Sequence, residues 1–215
     1  MDSITRRAYQ ILNQLERHTW QTQSWMRPHN GIYVFYEKGE TVTDGGHTWD
    51  RIVRIGTHRR DGNFRARIRQ HYGPASNLGG NKNSSVFRKH LGGAIMRQRD
   101  PEDPRLKSWL KQDGPTYREV EEEVSRSLRD HFTFVCFRVD EAADRLALES
   151  GLIALMAQAP LGEPSADWLG RYAAAVAIRQ SGLWNTQCID QRPIDAQQLE
   201  KLDRFVDRWL EEVAR

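Results

Sequence analysis

The sequence predicts an α/β fold of the α+β kind: a small mixed, mainly antiparallel three-stranded central sheet flanked by helices, with helical insertions and terminal helices. Three observations predict it. Residues 31–37 (GIYVFYE), 51–56 (RIVRIG) and 131–139 (HFTFVCFRV) are short runs rich in β-branched and aromatic residues. Asp44-Gly45-Gly46 is a strong turn signal between the first two, which together read as a hairpin with a long loop over 40–50. The segments around the three runs carry apolar residues at helical spacing. With 215 residues and 38% hydrophobic content the chain can bury one sizeable core, so 1–215 reads as a single domain.

In chain order, Ile4, Ala8, Ile11, Leu12 and Leu15 predict an amphipathic helix over 3–18, and Trp20, Trp25 and Pro28 mark an irregular link. After the hairpin the period changes. Phe64, Ile68 and Tyr72 stand at i, i+4 and i+8, a helix over 62–72 whose other faces carry arginines. Residues 73–85 are a Gly/Asn/Ser-rich loop, a short helix follows over about 85–98, and DPEDP at 100–104 breaks it. The charge run from Glu119 to Glu123 predicts a solvated helix over 117–129. The run 131–139 is apolar on both faces near its middle and is expected to be the central strand. Helices are expected over 141–157 and 166–181. A last helix starts after Pro193, with Asp195 and Gln198 at capping-box spacing.

No apolar run approaches the ~18 residues of a bilayer span. The first 25 residues hold Arg6, Arg7, Glu16 and Arg17 without an apolar core, so the sequence predicts neither export nor membrane insertion and a cytoplasmic location. Cys136 and Cys188 stand apart from any Cys/His cluster, which argues against structural zinc. The net charge is only +3, yet residues 51–100 hold 12 Lys/Arg against 2 Asp/Glu. Such a block is either a polyanion-binding face or a solvated surface.

Gly31-Ile32-Tyr33 opens one strand and Arg54-Ile55-Gly56 closes the next. Arg67 and His71 follow on a helix at i, i+4, Glu149 interrupts an apolar helix further on, and the tract closes on Leu183-Trp184-Asn185. This order resembles the GIY-YIG nuclease superfamily, which includes excision-repair, homing and some restriction endonucleases. The resemblance covers roughly 30–187, with insertions at about 73–130 and 160–182 and flanking helices at 1–29 and 193–215. It implies a divalent-metal-dependent DNA endonuclease hydrolysing phosphodiester bonds.

In that reading Tyr33 is a general base. Only about 0.1% of free tyrosine is ionised at pH 7, and nearby positive charge favours the phenolate. Arg54 stands where the family signature has tyrosine. It would either supply that charge or hold the scissile phosphate. Arg67 would pair with the non-bridging oxygens. His71, one turn on, would position water, contact phosphate or relay a proton. Glu149 would hold one Mg²⁺ (or Mn²⁺), a hard cation that keeps several waters. Asn185 would order the site by side-chain hydrogen bonds. Arg59, Arg60, Arg65, Arg69, Lys82, Arg88 and Lys89 are the candidate DNA contacts.

Two other readings stay open. A domain of this fold that has lost its chemistry and only binds nucleic acid is favoured by Arg54 in place of tyrosine. A structural or protein-binding domain with a basic face is permitted by the charge pattern. A homodimer would suit double-strand cleavage; the sequence does not specify one.

Overall fold

The computed structural model describes residues 1–22 and 28–215. Trp25, expected in the link after the first helix, lies outside the described residues. The element order is α1 (Ser3–Leu12), β1 (Gly31–Asp44), β2 (His47–Gly56), α2 (Phe64–Tyr72), α3 (Val86–Arg99), α4 (Leu106–Leu110), α5 (Arg118–His131), β3 (Phe132–Arg138), α6 (Ala142–Gln158), α7 (Val176–Ser181) and α8 (Ala196–Val213), with 3-10 turns at Lys82–Ser84 and Leu169–Tyr172. No helix among the described residues is long and apolar enough to cross a membrane.

The three strands form one sheet in the order β2-β1-β3, antiparallel at both pairings. The central strand is therefore β1, and the expectation that 131–139 would be central is corrected. β3 is apolar on both faces because helices cover both sides of the sheet. Its outer edge is closed by a backbone bridge in place of a strand, with His18 N–H donating to Phe134 O at 2.7 Å and Phe134 N–H to His18 O at 2.9 Å.

Alternation along β1 divides the core in two. Ile32, Val34 and Tyr36 point to one face and pack with residues of α1, α6 and α8, among them Leu12, Leu152 and Val206. Tyr33 and Phe35 point to the other and pack with Phe64 and Ile68 of α2, Phe87 and Leu91 of α3, and Leu128 of α5. The site is built on this second, aromatic face.

The hairpin is longer and its loop shorter than expected. Asp44 pairs with His47, leaving Gly45 (φ 56°) and Gly46 (φ 81°) as a two-residue turn. Positive φ at both central residues suits the right-handed twist of a hairpin and explains the glycine pair. The polar stretch 40–50 is mostly paired strand, because a two-residue turn lets the ladder run to the tip. A bulge interrupts it: Tyr36 pairs with Ile52 and Thr41 with Asp50, so residues 37–40 face residue 51 alone.

Other boundaries shift for local reasons. α1 stops at Leu12, where the Asn13 side chain donates to Tyr9 O at 2.7 Å and the chain turns toward its bridge with β3. Residues 166–181 form a 3-10 turn and a six-residue helix instead of one helix; between them Ala173 is buried and its carbonyl accepts from Arg97 and Arg179. α4 follows the DPEDP break without having been anticipated. At α8 the capping box forms as its spacing predicts, with Gln198 N–H donating to Asp195 at 3.0 Å and Asp195 N–H to Gln198 at 3.2 Å. α5 is not wholly solvated: Glu121 is buried and bonds Arg88 of α3.

Candidate active site

The two signature tripeptides meet across the β1–β2 pairing. Tyr33 is the cross-strand partner of Gly56, and Phe35 that of Arg54, so all four share the aromatic face. A Cβ on Gly56 would lie 2.7 Å from Tyr33 Cε2 and closer still to Cζ and Oη. Gly56 is glycine because the phenol occupies the space above its Cα. Gly31 answers to the other neighbour: a Cβ there would overlap the Phe137 carbonyl of β3. Between them Ile32 anchors the opposite core. The tripeptide thus reads as a close approach, an anchor and a functional group.

Tyr33 is 1% exposed, and its Oη lies 2.8 Å from His71 Nε2. The other ring nitrogen, Nδ1, is 2.8 Å from Ser85 Oγ. His71 has no exposed surface and does not line the cleft described below. Direct contact with phosphate or a reacting water is thereby removed from its expected roles. What remains is an action through Tyr33. Burial, reinforced by Arg67, Arg54 and Arg88, holds its imidazole well below the ordinary histidine value, so it is neutral.

Arg54 is 6% exposed, and its Nη1 donates to Trp184 O at 2.8 Å. Its guanidinium carbon lies 4.9 Å from the centre of the Phe87 ring, and its buried Nε has no hydrogen-bond partner among the described residues. Burial lowers its pKa, and the adjacent Tyr33 opposes that shift.

Glu149, on α6, accepts a hydrogen bond from Thr57 N–H at 2.9 Å through Oε1. Oε2 takes no hydrogen bond among the described residues. Burial raises the carboxyl pKa, while Thr57, Arg54, Arg67 and Arg59 pull it down. Among the described residues no group of three or more His, Cys, Asp or Glu is placed to hold a metal. A single free carboxylate oxygen does not suit zinc, which needs several protein ligands. It does suit a hydrated magnesium ion that takes its remaining oxygens from water and phosphate.

Asn185 pairs with the backbone of one residue of β2. Its Oδ1 accepts from Ile55 N–H at 3.1 Å and its Nδ2 donates to Ile55 O at 2.9 Å. With Trp184 N–H on Val53 O at 2.6 Å, this short tract closes the outer edge of β2 as a strand would. Asn185 therefore holds the backbone between Arg54 and Gly56.

These elements wall a cleft of about 920 Å³, lined by Tyr33, Arg54, Arg67, Glu149 and Asn185 and, at its margins, by Arg59, Arg60 and Lys89. Arg67 Nη1 is held by Gln70 at 3.0 Å and by Ser84 O at 2.9 Å. The sequence matches the GIY-YIG domain family over residues 2–211. The chain belongs to the GIY-YIG domain family. Its fold is accordingly of the nuclease type, and the match takes in α1 and most of α8 as well as the tract 30–187. No match was found among curated proteins or among solved structures.

The remaining basic residues of this GIY-YIG domain separate by burial. Arg59 and Arg60 are exposed at the cleft, whereas Arg65 and Arg69 are exposed on α2 outside its lining. Lys82 and Arg88 are corrected as DNA contacts. Arg88 has no exposed surface; it pairs with Glu121 at 2.6 Å and donates to His71 O at 2.9 Å and Ser125 Oγ at 3.0 Å. Lys82 is buried with Nζ on Lys111 O at 2.9 Å. A guanidinium enclosed this way cannot reach a phosphate.

Sequence reasoning passed over Thr57, His58, Ser85 and His90. Thr57 Oγ1 donates to Gly31 O at 2.6 Å, tying the end of β2 to the start of β1. His58 Nε2 accepts from Gly31 N–H at 3.2 Å, and its Nδ1 donates to Arg60 O at 2.7 Å, which fixes the turn bearing Arg59 and Arg60. Only Ser85 left a signal, as a serine directly before a helical segment.

Proposed function

We propose that this protein is a divalent-metal-dependent endonuclease that hydrolyses DNA phosphodiester bonds. The observation that carries the reading is the convergence of Tyr33, Arg54, Arg67 and Glu149, from four separate elements, on one cleft with a basic margin. The attacking water gives its proton to Tyr33 Oη as its oxygen bonds to phosphorus. The bond to the 3′ oxygen breaks in line, and that oxygen takes a proton from solvent. Arg67, anchored through Nη1, pairs its remaining N–H groups with the non-bridging oxygens, whose charge grows in the transition state. Arg54 places fixed positive charge in the cleft wall beside Tyr33. Glu149 would hold the magnesium ion, which when bound supplies charge neutralisation at the phosphoryl and leaving oxygens. Arg59, Arg60 and Lys89 contact flanking phosphates.

The test is plasmid nicking in Mg²⁺ by wild type, Glu149→Ala and Tyr33→Phe. Cleavage by wild type and about 100-fold or greater loss in both variants is expected; equal cleavage by all three would sink the assignment. Arg54 at the signature tyrosine favours a second reading, a nucleic-acid-binding domain without catalysis. Salt-sensitive DNA binding by a wild type that never nicks in Mg²⁺ would decide for it.

A further inference from the structure

We propose that Ser85 is a positioning residue that sets the direction of the Ser85–His71–Tyr33 hydrogen-bond chain, so that His71 donates to the Tyr33 oxygen. The inference rests on the reading of Tyr33 as the base. Among the described residues Ser85 Oγ has two hydrogen-bonding neighbours, the Arg88 N–H at 3.3 Å and His71 Nδ1 at 2.8 Å. Arg88 N–H can only donate, so Oγ accepts there as the N-cap of α3. The serine is 1% exposed, and its hydroxyl proton must find an acceptor within the protein.

His71 Nδ1 is the remaining neighbour, and it accepts only if it carries no proton. A neutral imidazole holds one proton, so that proton sits on Nε2. Nε2 lies 2.8 Å from Tyr33 Oη and donates to it. The opposite tautomer would strand the buried serine hydroxyl. It would also make Tyr33 the donor, tying up the phenolic proton inside the protein.

The direction has a chemical consequence. With His71 donating, the phenolic proton of Tyr33 points away from the imidazole, toward the cleft that Tyr33 lines. The Tyr33 oxygen keeps an N–H donor in a fully buried position while it takes the water proton, and a proton leaves it by way of the cleft. His71 is then a donor that stabilises the base and never takes a proton itself. The N-cap of α3 thereby does a second task, because the loop 73–85 brings it beneath the α2 histidine.

The experiment is a ring-¹⁵N correlation spectrum of the full chain labelled at histidine, with His71 assigned from the signals missing in His71→Gln. The expected wild-type pattern is an Nε2–H tautomer with Nδ1 accepting. Ser85→Ala should mix or reverse the tautomers and lower kcat for cleavage about 10–100-fold with KM unchanged, as loss of an orienting partner does. Ser85→Thr, which keeps the hydroxyl, should restore both. An Nδ1–H tautomer in wild type, or an unchanged tautomer and kcat in Ser85→Ala, would overturn the proposal. If Ser85→Ala does not fold, the wild-type tautomer decides alone. If wild type does not cleave DNA, the nuclease reading fails while the direction of the chain is still read from the spectrum.

Discussion

The phenol of Tyr33 lies over the bare Cα of Gly56, its antiparallel partner on the neighbouring strand, with no room between them for a methyl group. Gly56→Ala must therefore displace the ring or part the strands. Overpacking of this kind costs about 1–3 kcal/mol, read as a lower denaturation midpoint. The double variant Gly56→Ala/Tyr33→Ala should be more stable than the sum of the single changes predicts, because removing the ring removes the clash. Strict additivity would mean that the two side chains do not compete for the same space.

Asn185 supplies both a donor and an acceptor to Ile55. Asn185→Ala strands two buried backbone groups and should cost about 1–3 kcal/mol. Asn185→Asp keeps the acceptor but turns a carboxylate toward the Ile55 carbonyl, and should be at least as damaging. Urea denaturation of both variants checks this, and an alanine variant as stable as wild type would contradict it.

The arginines of the basic block should divide into two classes. Arg88→Ala leaves Glu121 buried without its partner and should cost about 3–5 kcal/mol. Arg59→Ala and Arg60→Ala sit on exposed side chains and should change stability by less than about 0.5 kcal/mol. In DNA-binding titrations each of these two should reduce the slope of log affinity against log salt by about 1. Destabilisation by Arg59→Ala comparable to that by Arg88→Ala would reverse the division.

Glu37 accepts from both Trp168 Nε1 and Trp184 Nε1 at 3.0 Å, and burial pushes its pKa up to about 7 from 4.5. The folded protein therefore holds this proton where the unfolded chain has released it. Stability from this group is full below pH 4.5, falls as pH rises toward 7, and is flat above. Glu37→Gln should lose less thermal stability than wild type between pH 5 and pH 8. Parallel melting curves for the two proteins across that range would contradict the shift.

Local physics made much of the molecule legible in the sequence. The three strand runs, the arginine-bearing helix, the α8 capping box and the glycine turn all follow from short-range pattern. So does the placing of Tyr33, Arg67, Glu149 and Asn185 each in its own kind of segment, while the family itself is shown by the match over residues 2–211. β3 was misplaced because an apolar pattern reports cover on two faces and says nothing about neighbours at the edge. That edge is closed by His18, more than a hundred residues away.

Charge was legible as a count but not as a location. The sequence supplies a basic block; packing decides that Arg59 and Arg60 face the cleft while Arg88 is enclosed against Glu121, 33 residues further on. Ser85 likewise reads as a helix cap, and only the fold brings His71 onto its hydroxyl. By itself, then, the sequence determined most of the elements and where the family's motif residues stand along the chain, because these depend on neighbours within a few residues. The tertiary structure decided which of those groups are buried, paired or free to meet a substrate, because burial and long-range hydrogen bonding are set by what packs on top.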